Sequence, residues 1–177
     1  MQAFLVILLC LGAFMESAFA RVFYAKEEAI QVAFPDADTI DKKTFFLTDQ
    51  QVKEVEAIAR VRLDSKLVTF YIGKKKQQLM GYAVIDVHIV RTLPEAFMVV
   101  LSPEGRVVST LVLAFHEPLE YLPPDRWLKQ FEGKTPATNP RLGRDIAGIT
   151  GATLTARAIT NGVRKILALY QVLIAGR

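Results

Sequence analysis

Four β-rich runs joined by tight turns fill the middle of the chain and leave few folds open to it. Leu67–Ile72 alternates apolar and polar residues, and Gln78–Val90 is long and rich in β-branched residues. Phe97–Leu101 and Arg106–Phe115 flank Ser102-Pro103-Glu104-Gly105, a strong hairpin turn, and Gly73-Lys74-Lys75-Lys76 reads as the turn between the first two runs. Strands this close in sequence pair antiparallel, because a parallel partner needs a crossover of a dozen residues or more. The lysines at 74–76 read as a solvated hairpin tip rather than a membrane or nucleic-acid contact.

Helical patterns surround this meander. Tyr24–Phe34 reads as a helix stopped by Pro35, and Thr39–Leu47 as a short strand. Thr48 caps a helix over Asp49–Arg60 with apolar positions at Val52, Val55, Ile58 and Ala59. Pro123-Pro124-Asp125 opens a short helix through Trp127 and Phe131, and residues 132–148 form a long loop. The segment Thr155–Ile174 is the clearest helix, with Ile159, Val163, Ile166, Leu167, Tyr170, Leu173 and Ile174 on one stripe. The expected fold is a single α+β domain: an antiparallel sheet meander with helices packed on one face, closed by a long C-terminal helix.

Composition narrows the function classes. With 51% hydrophobic and 23% charged residues in 177, the chain is neither disordered nor dependent on disulfides. A net charge of +4 without clustered bases excludes the footprint of a nucleic-acid binder. Two His and one Cys are too few for the usual zinc or haem ligand sets, so no metal is expected.

The N-terminus points to export. Ala3–Met15 is an unbroken apolar run of 13 residues, short for a membrane span and suited to a signal peptide. Ala18 and Ala20 supply the small residues of a cleavage site, which places the cut after Ala20 and the domain at 21–177. The other reading of the same run is an uncleaved anchor. Either way the domain lies outside the cytoplasm, periplasmic and free or membrane-associated. Cys10 leaves with the signal, which excludes thiol catalysis in the remainder.

The chemistry sits in Asp145-Ile146-Ala147-Gly148-Ile149-Thr150-Gly151-Ala152-Thr153-Leu154-Thr155. This is a glycine-interrupted turn feeding a helix start. Its free N–H groups favour an anion, and Arg157, Arg164 and Lys165 add positive charge nearby. A phosphate site and ordinary threonine capping both fit the residues.

Thr150-Gly151-Ala152-Thr153-Leu154-Thr155 resembles the Ser/Thr-Gly-Ala-Ser/Thr-x-Ser/Thr flavinylation motif of FMN-binding domains. Such domains occur in flavin-carrying components of the sodium-translocating NADH:quinone reductase and of the related electron-transport complex. The resemblance extends weakly over residues 67–174, through Gly81-Tyr82-Ala83-Val84, Glu104-Gly105-Arg106-Val107, His116-Glu117-Pro118 and Phe131-Glu132-Gly133-Lys134. It implies FMN joined by its phosphate to Thr153 by a flavin transferase, with Thr150, Gly151, Ala152, Leu154 and Thr155 around it. It further implies an electron carrier with no catalytic residue of its own, serving a redox partner such as a cytochrome or a membrane electron-transport complex. A sensory or ligand-binding module on the same fold is the alternative.

The chain departs from the family pattern in two places. Ala147 stands where the family has Asp, with Asp145 two residues earlier, and Leu119 and Glu120 replace the Thr and second Gly of the loop after His116. His116 and Glu117 either touch the flavin ring or cap the sheet edge. Lys134 is a candidate partner for the FMN phosphate; Gly133-Lys134-Thr135 is no P-loop, since Leu128 replaces its first Gly and Pro136 bars the following helix. His88 reads as a surface or packed histidine, and Trp127 and Tyr121 as core aromatics that are also able to stack on a flavin.

Overall fold

The structure is a computed structural model and describes residues 21–90 and 93–176. The expected signal peptide, its cleavage point and Cys10 lie outside the described residues. In chain order the elements are β1 (Arg21–Val22), α1 (Lys26–Ala33), β2 (Thr39–Phe46), α2 (Asp49–Ala59), β3 (Leu67–Lys75), β4 (Gln78–Val90), β5 (Leu93–Leu101), β6 (Val107–Phe115), α3 (Asp125–Leu128) and α4 (Thr153–Tyr170). A 3₁₀ turn at Leu119–Tyr121 follows β6, a second at Lys129–Phe131 follows α3, and a π turn at Gln171–Ala175 extends α4.

The sheet is antiparallel throughout, in the order β1-β6-β5-β4-β3-β2. Strands β3 to β6 are thus a meander, as their short links require; β2 pairs antiparallel with β3 across α2, and β1 adds a short outer strand beside β6. Local chemistry sets the ends of the elements. Thr48 and Gln51 exchange side-chain to backbone hydrogen bonds at 3.2 and 3.0 Å, a capping box that starts α2, and Arg60 ends it in the left-handed region.

The β3–β4 turn differs from the sequence expectation. The reversal is made by Lys76 and Gln77, with φ of 48° and 65°, while Gly73 to Lys75 stay in β3. Gly73 is needed there for packing: a Cβ on it would lie 2.5 Å from the Phe34 ring. The lysines face an aspartate rim, with Lys74 on Asp41 at 2.7 Å and the Lys76 amide on Asp38 at 2.6 Å. This is the solvated hairpin tip that the composition implied.

Helices cover both faces of the sheet rather than one. On β4 and β5 the residues Tyr82, Val84, Phe97, Val99 and Leu101 point towards α4, joined by Val163, Ile166 and Leu167 in the main core. The alternate residues Ala83, Met98 and Val100 point the other way and pack with Ala29 and Phe34 of the α1 segment. The period of two along these strands sorts the side chains between the two layers. The α4 C-terminus is tied to the β5–β6 turn, where the Tyr170 hydroxyl donates to the Pro103 carbonyl at 2.7 Å. Among the described residues no helix is long and apolar enough to cross a membrane.

Candidate functional site

Helix α4 begins at Thr153, two residues before the expected start, so the central threonine of the motif is its first residue. The chain reaches this point through Gly151, whose φ of 81° suits glycine, and through Ala152, which is buried and serves as N-cap. Ala152 has no side chain able to cap. Among the described residues the amides of Thr153, Leu154 and Thr155 find no acceptor. An 18-residue helix therefore presents unsatisfied N–H groups and the positive end of its dipole at this turn.

A cleft of about 240 Å³ opens on these amides, lined by Gly151, Ala152, Thr153, Leu154 and Thr155 with Val90, Glu117 and Tyr121. Thr153 is exposed at its mouth, whereas Thr155 is 2% exposed and faces the core. Glu117 is 7% exposed, and its Oε1 has no hydrogen-bond partner among the described residues. An uncapped helix start thus shares a cleft with a buried, unpaired acid, an arrangement that a ligand bearing both acceptor and donor groups would satisfy. A larger cleft, about 480 Å³, lies against β6 between Phe23, Leu122 and Lys129; it contains no residue of the motif.

The approach to the cradle is braced. The Trp127 indole donates to the Ala147 carbonyl at 2.6 Å, and the Ala147 amide donates to Gln130 at 2.8 Å. Asp145 accepts from the Arg141 amide at 3.0 Å, closing its own loop, and Ile146 is buried beneath. Asp145 is therefore occupied locally, and the family's Asp position, Ala147, is held by its backbone. Trp127 packs edge-to-face on Phe131 as a core residue, while Tyr121 lines the cleft.

Other candidates fall elsewhere. Thr150 is exposed just outside the cleft. His116 turns its Nδ1 to the Pro94 carbonyl at 2.9 Å and joins the ends of β5 and β6. Lys134 does not line the cleft: its carbonyl accepts from the Val107 amide at the opposite end of β6, about 26 Å of strand away from Phe115. None of Arg157, Arg164 and Lys165 lines the cleft either. Arg164 donates to Asn139 at 2.8 Å, and Lys165 is paired with Asp86 at 2.5 Å. Rise along the helix removes two of them, since at about 1.5 Å per residue Arg164 and Lys165 lie roughly 16 and 18 Å beyond Thr153, while Arg157, one turn on, lines a different hollow. Backbone amides, not side-chain cations, supply the positive potential.

The sequence reading missed a buried charge cluster behind the cleft. Asp86 and His88 on β4 and Glu95 on β5 point towards α4, in line with Tyr82, Val84 and Phe97. His88 lies 3.3 Å from Glu95 and 3.7 Å from Asp86, and Glu95 is fully buried. Burial alone would lower the His88 pKa, but the two neighbouring carboxylates outweigh it and raise it to about 9. Burial pushes the Glu95 carboxyl up, His88 draws it back, and the charge of Glu117 raises it again. Burial also opposes ionisation of Asp86, yet His88 and Lys165 hold it below the usual carboxylate range. The signal was present in Val84-Ile85-Asp86-Val87-His88-Ile89-Val90, where charges occupy the core-facing alternate positions of a strand.

A raised histidine stabilises the fold fully below its ordinary pKa, and that contribution is lost as pH rises through the folded value. Thermal stability is therefore expected to fall between about pH 6.5 and 9, by at most about 1.4 kcal/mol per pH unit for this one proton. His88→Asn is expected to flatten that limb of the curve, as read by melting temperature against pH.

Residues 93–168 match the family model described as FMN-binding domain. The matched segment runs from β5 into α4 and contains Glu117, Tyr121 and the 151–155 cradle. The chain is also 27% identical to a component of the Na(+)-translocating ferredoxin:NAD(+) oxidoreductase complex of Acetobacterium woodii, over 67% of this chain. The match spans 64% of that relative's length. The resemblance drawn from the motif thus agrees with both comparisons.

Proposed function

We propose that this chain is an exported electron-transfer flavoprotein carrying FMN as a phosphoester on Thr153. One observation carries the reading: Thr153 is exposed as the first residue of an uncapped helix, at the mouth of a cleft where three amides find no acceptor. A phosphate bonded to its hydroxyl lies within the first turn, where N–H groups and the helix dipole favour negative charge. Gly151 and Ala152 bring the backbone close without bulk. The cleft volume is below the 300 Å³ or so typical of a complete small-molecule pocket. It suits one end of the cofactor, with the exposed side chain of Leu154 in its wall as an apolar contact for the remainder.

The isoalloxazine ring supplies the redox chemistry when bound. The chain's part is to tether it, hold its phosphate on the amides of 153–155, and present Glu117 and Tyr121 to it. No residue acts as nucleophile or base, so a flavin transferase forms the ester. A covalent tether keeps the cofactor in place after export. The electron partner is a redox protein or membrane complex of the kind to which the Acetobacterium relative, by its name, belongs.

The test is the intact mass of the chain produced with and without a flavin transferase. A gain of one FMN less one water, present only with the transferase, is expected. An unmodified mass beside a modified control protein would sink the covalent reading, and reversible FMN binding measured by fluorescence would then distinguish a binding module from a carrier.

A further inference from the structure

The two ends of the sheet differ in kind. One end carries the β3–β4 and β5–β6 turns, where Asp38, Asp41, Lys74, Glu104 and Arg106 gather. The other end is apolar on the face that α1 leaves open. Phe46, the last residue of β2, pairs with Leu67, the first of β3. Val87 of β4 pairs with Ala96 of β5, Ala96 with Ala114 of β6, and Ala114 with Val22 of β1. Paired residues share a face. The two halves meet where β3 and β4 part: their pairing stops at Tyr71 and Ala83, and Leu67 and Val87 both line the cleft of about 330 Å³ beyond it. One apolar row therefore crosses all six strands.

The row stands in solvent. Val22, Phe46, Leu67 and Val87 are each more than half exposed, and Ile89, on the β4–β5 hairpin that projects past the row, is 70% exposed beside its exposed partner Pro94. Helix α1 packs further along the same face, against Ala83, Met98, Val100 and Leu113. A water-facing strand surface is ordinarily polar, and a contiguous apolar stretch of this kind marks a place of contact. Charge narrows the contact. The strands put no carboxylate on this face: Asp41, Asp86 and Glu95 alternate to the α4 side, while Lys42 shares the face with Phe46. The chain upstream narrows it again. Arg21 enters the sheet at this end, opposite Phe115. The apolar run Ala3–Met15 stops five residues before Arg21, within about 20 Å of extended chain. Whether that run is a signal or a retained anchor, it meets the bilayer from this end.

We propose that this row and the β4–β5 hairpin beyond it seat end-on against a lipid surface. The apolar side chains sink into the boundary between head groups and acyl chains, a depth of about 5–10 Å. Lys42 meets the phosphates of anionic lipid, and the charged turns at the other end of the sheet stay in water. Val90, the neighbour of Ile89, lines the cleft at the α4 N-terminus, so docking sets that cleft close to the membrane surface. The proposal does not rest on the flavin reading, and the chain made without a transferase serves to test it.

The full chain carrying Cys10→Ser is free of thiols and gives the background. Single changes Val87→Cys and Phe46→Cys place a fluorescent label on the row, and Val108→Cys places it at an exposed position at the far end of β6. Each labelled chain is mixed with vesicles of phosphatidylethanolamine and phosphatidylglycerol that contain a nitroxide lipid, which quenches on contact. Labels at 87 and 46 are expected to be quenched several-fold more strongly than the label at 108. Adding Leu67→Glu and Ile89→Glu is expected to abolish that difference without lowering the melting temperature, because both positions are more than half exposed. Equal quenching at all three positions would overturn the proposal. Strong quenching that survives the two glutamates would also overturn it, since the upstream run would then hold the domain at the membrane without help from the row. Labels at 87 and 46 that are already shielded from an aqueous quencher without vesicles would assign the row to a second copy or to the chain's own upstream segment, and the lipid reading would fall.

Discussion

Thr153→Ala is expected to abolish covalent FMN completely, while Thr153→Ser retains it. The ester requires a hydroxyl, and that of Thr153 stands where the first-turn amides meet the exposed mouth of the cleft. The fold is expected to be indifferent to the change. Thr153 is exposed, makes no capping hydrogen bond, and sits at a helix position that tolerates alanine, so the stability change should remain within about 0.5 kcal/mol. Two neighbours are the controls. Thr150→Ala removes an exposed hydroxyl just outside the cleft and should leave flavinylation intact. Thr155→Ala removes a hydroxyl that is 2% exposed, beyond the reach of a modifying enzyme, and should also keep the flavin. Intact mass and flavin fluorescence of the denatured chain read all four variants. Flavin persisting on Thr153→Ala but lost from either control would move the attachment point.

The elements that local chemistry specifies were legible in the sequence. Thr48 and Gln51 announce the start of α2, and the bounds of β4 follow from its β-branched run between turn and loop. The apolar stripe of α4 required no tertiary knowledge. What escaped were features set by distant contacts. Gly73-Lys74-Lys75-Lys76 has turn composition, but Gly73 is small for the sake of the Phe34 ring, and the turn falls at Lys76 and Gln77. The placing of α1 on the second face depends on which way its short apolar edge is delivered by β1, and strand alternation alone does not name the helix that covers each face. Lys134 matches the Phe131–Lys134 segment of the resemblance in sequence but lies away from the cleft in space, because its loop is fastened to the start of β6. The cradle itself was visible because glycine and threonine at a helix start act within four residues. The Asp86–His88–Glu95 cluster was not visible as a unit, because its members meet only once β4 and β5 pair, with His88 opposite Glu95.

Phe97→Ala is expected to have the largest effect on stability and to reach the charge cluster as well. The ring is fully buried in β5, packs edge-to-face with the His88 imidazole at 5.4 Å, and occupies the space that Gly162 of α4 leaves open. Its removal should cost about 3–5 kcal/mol, a large share of the roughly 5–15 kcal/mol that holds a domain together. For a chain of this length that lowers Tm by roughly 6–20 °C. The void would adjoin Asp86 and His88, so it is polar on one side and suited to water. Water there weakens the pull of the carboxylates, and the imidazole should titrate below about 9, towards its ordinary 6.5. Gly162→Ala attacks the same contact from the helix and should cost about 1–3 kcal/mol by overpacking, despite the better helix propensity of alanine. The two changes are therefore complementary: with the ring gone, the methyl at 162 has room. The double variant should be more stable than the sum of the two losses predicts, by at least about 0.5 kcal/mol in denaturant unfolding. Strict additivity would mean that α4 does not rest on Phe97, and that the helix presenting Thr153 is positioned by other contacts.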